Sequence, residues 1–148
     1  MTTKKTAAEL NKLLADYAIF TQKARNYHWN VRGPHFFDLH AHFEAIYTDA
    51  AQVIDDLAER VSRLAGRPAS TYGEFIELAH LKEDRDEPNA DGMVKALLAD
   101  MNHLQKHTLA TLELAEAEKD VASVTLLEEL AARQEKGAWM LASRQERG

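Results

Sequence analysis

Apolar residues fall at Leu10, Leu13, Leu14, Tyr17, Phe20, Ala24 and Tyr27, a helical spacing that predicts a first helix from about Ala7 to Asn30. Thr6 and Glu9 stand at the positions of a capping box ahead of it, and Gly33-Pro34 stops it. A second stripe, Phe36, Leu39, Phe43, Ile46, Ala50, Val53, Leu57, Val61 and Leu64, predicts a helix from about His35 to Ala65, ended by Gly66-Arg67-Pro68. At 1.5 Å per residue that helix is roughly 45 Å long. Thr71 and Glu74 form another capping box and open a short helix reaching about Leu81, followed by a charged loop from Lys82 to Ala90. Asp91 is the expected cap of a third long helix, with its stripe at Val94, Leu97, Leu98, Met101, Leu104, Thr108, Leu112 and Ala115. After a turn at Asp120 to Val124, residues Leu126, Leu127, Leu130, Ala138 and Leu141 mark the fourth. The expectation is an all-α chain: a tail of residues 1–6, then one four-helix bundle domain over residues 7–148. A short helix lies in its one long crossover, between the second and third long helices.

Composition narrows the function classes. Gly and Pro together number 9 of 148 residues, too little punctuation for many short strands. The absence of cysteine excludes disulfides, thiolate metal sites and cysteine nucleophiles. No apolar run approaches ~18 residues, so no membrane span is expected. The polar start at Met1 to Lys5 has no apolar core behind it, so the expected location is the cytoplasm. A net charge of −6 argues against broad nucleic-acid binding and suits cations, and seven histidines direct attention to metals. Neither a Gly-rich phosphate loop nor G-x-S-x-G occurs.

His28 continues the apolar stripe of the first helix, where a lone histidine would read as a satisfied core residue. It is not alone. His40, Glu44, Asp55 and Glu59 lie at about 0°, 40°, 60° and 100° around the second helix, one polar line beside the apolar one. Imidazole with carboxylates is an N/O ligand set suited to iron, manganese or zinc. Yet His40 and Asp55 are 15 residues apart, roughly 22 Å along one helix, and cannot hold one ion from one copy. A two-fold dimer with this helix antiparallel to its mate brings the His40/Glu44 end of one copy to the Asp55/Glu59 end of the other. His28 then completes the first half, and the small residues Ala50 and Ala51 near the axis permit close approach. His103 and His107 are also four apart, but without the H-E-x-x-H pattern they read as a surface or interface pair. His35, His42 and His80 lack carboxylates at useful spacing and read as capping, surface or interface residues. Glu-x-x-His occurs only once, at Glu77-Leu-Ala-His80, where a di-iron bundle uses two, which argues against a di-iron site within one chain.

The segment His28-Trp-Asn-Val-Arg-Gly-Pro-His-Phe-Phe-Asp-Leu-His40, followed by Asp55-Asp-Leu-Ala-Glu-Arg60, resembles the Dps family (DNA-binding protein from starved cells), the mini-ferritins. The likeness extends along nearly the whole chain, including Gly66-Arg67-Pro68 and Glu135-Lys-x-x-Trp139. It implies a ferritin-like bundle assembled as a dodecameric shell of two-fold dimers. That shell oxidises Fe(II), mostly with hydrogen peroxide rather than O2, stores ferric mineral and limits oxidative damage. It implies ferroxidase ligands at His28, His40, Asp55 and Glu59. Glu44 stands where the family commonly has Asp. Trp29 either packs or intercepts radicals. Where the family often has a pore aspartate, this chain reads Ser123-Val-Thr125, leaving Asp120 and Glu129 as candidate pore acids. Lysine-rich tails of DNA-binding members are reduced here to Lys4, Lys5, Arg144 and Arg147, too few cations for strong DNA condensation. The alternative readings are a DNA-condensing nucleoid protein with incidental metal sites and a plain helical interaction bundle.

Overall fold

Each of the four apolar stripes becomes a long helix. The computed structural model describes residues 4–145, with α1 (Lys4–Asn30), α2 (Phe36–Arg63), α3 (Tyr72–Leu78), α4 (Ala90–Ala117) and α5 (Val121–Ala142) and no strand among them. Short links make α1–α2 and α4–α5 antiparallel hairpins, and the two pack together mainly through α1 and α4. The α1 stripe is buried throughout, and on α2 the buried set Leu39, Phe43, Ile46, Ala50, Val53, Leu57 and Val61 repeats every three or four residues. Leu97 and Leu104 of α4 and Leu127, Leu130 and Leu141 of α5 close the core.

The ends differ from expectation in instructive ways. Helix α1 runs back to Lys4, so the expected tail residues from Lys4 to Thr6 are helical, and there is no capping box at Thr6. Thr6 is buried instead, its amide donating to Glu118 Oε1 at 2.9 Å and its hydroxyl to the same oxygen. That contact ties α1 to the end of α4, a long-range partner no local motif reveals. Asn89, not Asp91, caps α4, accepting from the Gly92 amide at 2.8 Å. The expected turn at Asp120 to Val124 is shorter: Asp120 already caps α5 through the Ser123 amide. The Thr71/Glu74 capping box is present, though α3 ends at Leu78.

Helices α2 and α4 both close with the two reverse hydrogen bonds of a Schellman turn. The Gly66 amide donates to Val61 O (3.0 Å) and Ala65 to Ser62 O (3.1 Å); Asp120 donates to Ala115 O (2.9 Å) and Lys119 to Glu116 O (3.0 Å). Ala65 and Lys119 hold the left-handed position at φ 62° and 58°. Gly66 allows a close approach: a Cβ there would lie 3.0 Å from Val61 Cγ1 and 3.3 Å from Val61 O, so the turn would have to give by a few tenths of an ångström.

Buried polar pairs lock the helices in register. Lys23 of α1 meets Asp100 of α4 at 2.8 Å, and Arg60 of α2 meets Asp120 at 2.7 Å and Ser123 Oγ at 2.9 Å. Burial raises the Asp100 carboxyl despite the Lys23 ammonium beside it. The crossover is pinned along α1. Asn11 bonds Arg67 O and the Ala69 amide, Asp16 takes the His80 and Leu81 amides, and Asn26 and Tyr27 hold Asp84.

Candidate metal centre

His28 and His40 are brought face to face where α1 ends and α2 begins. Their rings stack at 3.8 Å between centroids, inclined by 15°. The bonds are reciprocal: His28 Nδ1 donates to His40 O at 2.6 Å, and His40 Nδ1 donates to His28 O at 2.7 Å. A carbonyl can only accept, so each Nδ1 carries a hydrogen. In the neutral ring that leaves the Nε2 lone pair for a cation, the outer-shell arrangement typical of metal-binding histidines. Glu44 Oε1 lies 3.7 Å from His28 Nε2, and its side chain is 58% exposed. Two imidazoles thus stack and one carboxylate approaches His28, but the three do not bring their ligand atoms within 4.8 Å of one another. Two nitrogens and one flexible oxygen are fewer than a transition ion takes up.

Asp55 and Glu59 do not join them. Both are exposed on α2, roughly 22 and 28 Å along the helix from His40. Among the described residues Asp55 makes no hydrogen bond or ion pair, and Glu59 only a loose exposed pair with Arg63 at 3.7 Å. The expected role of Ala50 needs correction: it is 1% exposed, spent on the chain's own core, while Ala51 faces outward. Trp29 is 63% exposed, so it does not pack inside the protomer; Phe37, Tyr72 and Ile76 are also exposed. Glu129 is exposed, near Asp56 and Arg133 in a small cleft. Asp120 is not a free pore acid of this chain: its carboxylate is buried against Arg60, the Ser123 hydroxyl and the start of α5.

A second histidine cluster was not legible in the sequence. His103 and His107 are no surface pair, and His80 does have a carboxylate partner: all three converge on Asp16, which is fully buried on α1. Burial would raise the Asp16 carboxyl, but bonds from His107, the Leu81 amide, His103 and the His80 amide hold it far below the usual carboxylate range. His107 lies between two carboxylates, Asp16 Oδ2 and Glu9 Oε2, each at 3.1 Å. Burial opposes its charge, yet those bonds raise it above an ordinary histidine. The available signal was one acid inside the run Leu13-Leu14-Ala15-Asp16-Tyr17, every member of which is buried. The remaining histidines behave as expected: His35 precedes α2 without a side-chain cap bond, and His42 accepts from Arg144 Nε at 2.6 Å.

A ferritin-like domain model matches residues 7–147. "DNA protection during starvation protein 2" of Bacillus anthracis is 37% identical, with 89% of this chain and 90% of that protein covered. The "DNA protection during starvation protein" of Helicobacter pylori is 37% identical over 93% and 96%. The chain belongs to the Dps family. Dps structures overlay closely. That of Vibrio cholerae O1, described as a member of a broad superfamily of ferritin-like diiron-carboxylate proteins, gives a TM-score of 0.95 at 36% identity, covering 98% of this chain and 91% of that one. The Dps of Bacillus brevis gives 0.95 at 35%, covering 98% and 97%. The ferritin-like Dps fold is therefore the fold of this chain. No helix among the described residues is long and apolar enough to cross a membrane.

Proposed function

We propose that this Dps-family protein oxidises Fe(II) at sites shared between two copies and sequesters the ferric product. The observation that carries the reading is the reciprocal His28/His40 pair, which fixes both tautomers and frees both Nε2 atoms, that of His28 beside Glu44. Asp55 and Glu59 are the missing anionic ligands, supplied by the second copy of a two-fold dimer. Their exposure supports this, as does the exposed apolar set Trp29, Phe37, Tyr72 and Ile76. Carboxylate oxygens favour Fe(III) over Fe(II) and so ease oxidation. With hydrogen peroxide as oxidant, two Fe(II) each give up one electron, and the peroxide takes two protons and leaves as two waters. No hydroxyl radical is released when both electrons arrive together. Trp29 supplies an oxidisable indole next to His28 for electrons that stray. Dimers assemble further into a dodecameric shell, in which Glu129 is a better candidate than Asp120 for an acid on the cation entry route.

The relatives' names speak of DNA protection. In this chain protection comes from removing Fe(II) and peroxide rather than from condensing the duplex, because the net charge is −6 and Arg144 is engaged with His42 and Asp38 O. Tight duplex binding in a low-salt gel shift would favour the DNA-condensing alternative. The central test is Asp55→Ala with Glu59→Ala, followed by stopped-flow Fe(II) oxidation and native mass. Assembly is expected to persist. Oxidation should fall by more than the about 10–100-fold typical of losing mere outer-shell partners. Unchanged kinetics would refute the assignment.

A further inference from the structure

We propose that Asp16, His80, His103 and His107 form a separate binding site, complete within one chain, for a divalent transition-metal ion of the zinc(II) type. Four donors are present, three imidazole nitrogens and one carboxylate oxygen, and all lie within 4.8 Å of one another. Asp16 Oδ2 is 2.9 Å from His103 Nε2, 3.1 Å from His107 Nδ1 and 3.6 Å from His80 Nδ1. A tetrahedral ion with bonds of about 2.0–2.1 Å separates its ligands by about 3.3 Å, inside that range. The three rings sit 5.6, 5.6 and 6.0 Å apart at steep mutual angles of 52°, 83° and 63°. They fan around a common point, unlike the stacked His28/His40 pair.

A purely hydrogen-bonded cluster accounts for this less well. Asp16 Oδ2 bonds only His103 and His107, and Oδ1 accepts the His80 and Leu81 amides at 2.6 and 3.0 Å, so the His80 ring, 3.6 Å from Oδ2, faces the cluster with no hydrogen bond to it. An ion at the centre takes one lone pair from each donor and gives the His80 ring its partner. The surrounding bonds are those of a supported metal site. The backbone amides fix the Asp16 carboxylate, and Glu9 Oε2 faces the far nitrogen of His107 at 3.1 Å. Asp16 and Glu9 together match a dication in charge. The His80 side chain is 57% exposed, giving the ion a way in, while Asp16 is fully buried. Imidazole-rich N/O donors without thiolate suit zinc and its neighbours rather than calcium or magnesium. The site lies twelve residues before His28, about 18 Å along α1. It joins α1, α4 and the segment after α3, so an ion there clamps the crossover onto the bundle.

The test uses the full-length assembly carrying Asp55→Ala and Glu59→Ala, stripped with chelator and titrated with Zn(II) and with Co(II). One ion per chain should bind with the intense visible absorption of four-coordinate Co(II). Adding His103→Ala with His107→Ala should abolish that absorption. Adding His80→Ala alone, an exposed side chain outside the helices, should weaken Zn(II) binding by more than the about 10–100-fold typical of losing an outer-shell partner. Circular dichroism checks folding, and if the double histidine variant does not fold, the His80 variant decides. No four-coordinate Co(II) spectrum, or a spectrum and affinity indifferent to His80→Ala, would overturn the proposal.

Discussion

The two histidine clusters of this protein are built to opposite plans. The Asp16 cluster gathers its ligands from α1, α4 and the crossover of one chain, around a fully buried carboxylate. The His28/His40 cluster is incomplete within one chain: its imidazoles are locked by backbone carbonyls, and the acids proposed to complete it face solvent far along α2. A cluster closed within the chain is part of the folding free energy. A half-site with exposed acids contributes little to the protomer and is free to be completed by another molecule. Substitutions in the first should be felt as stability, and in the second as activity.

The sharpest way to break the contrast is subunit mixing. Subunits with His28→Ala and His40→Ala, co-refolded with subunits carrying Asp55→Ala and Glu59→Ala, should regain about a quarter of the wild-type oxidation rate from two inactive parents. Random pairing makes half the dimers mixed, and each mixed dimer has one whole site. No recovery would mean that each site is confined to one chain. Next in size is Asp16→Ala in metal-free protein. It strips the partner from two backbone amides and at least two imidazoles, and should cost about 3–5 kcal/mol in denaturant unfolding. The matching control, Asp55→Ala, should stay within about 0.5 kcal/mol, because the side chain is exposed and unengaged. Equal losses would erase the distinction.

The smallest effect concerns the cap that leads toward His80. Arg67, the Ser70 amide and Thr71 push the Glu74 carboxyl down from 4.5 to about 2. A depressed folded pKa means the cap is fully formed above about pH 4.5 and is lost as pH falls through about 2. The amide proton shifts of Ser70 and Thr71 should titrate with that low midpoint. A midpoint near 4.5 would mean the cap does not form in solution.

What was legible in the sequence was whatever one helix carries by itself. The stripe on α2 gave its buried face residue by residue, because a helix repeats its direction every 3.6 residues. The same periodicity put His40, Glu44, Asp55 and Glu59 on one line, and the rise per residue alone forbade them from meeting in one copy. Tertiary structure decided everything that joins distant positions. Glu9 reads locally as a capping partner of Thr6, but packing gives it to His107 and gives Thr6 to Glu118. Ala50 looks like a small interface residue and is a core residue, 1% exposed in the single chain. The apolar run around Asp16 marks it as an odd acid but does not name its partners, which are 64 to 91 positions away. Periodicity is a property of the backbone and is written in every window of sequence. Convergence is a property of how helices are laid against one another, and it exists only once the core has been buried.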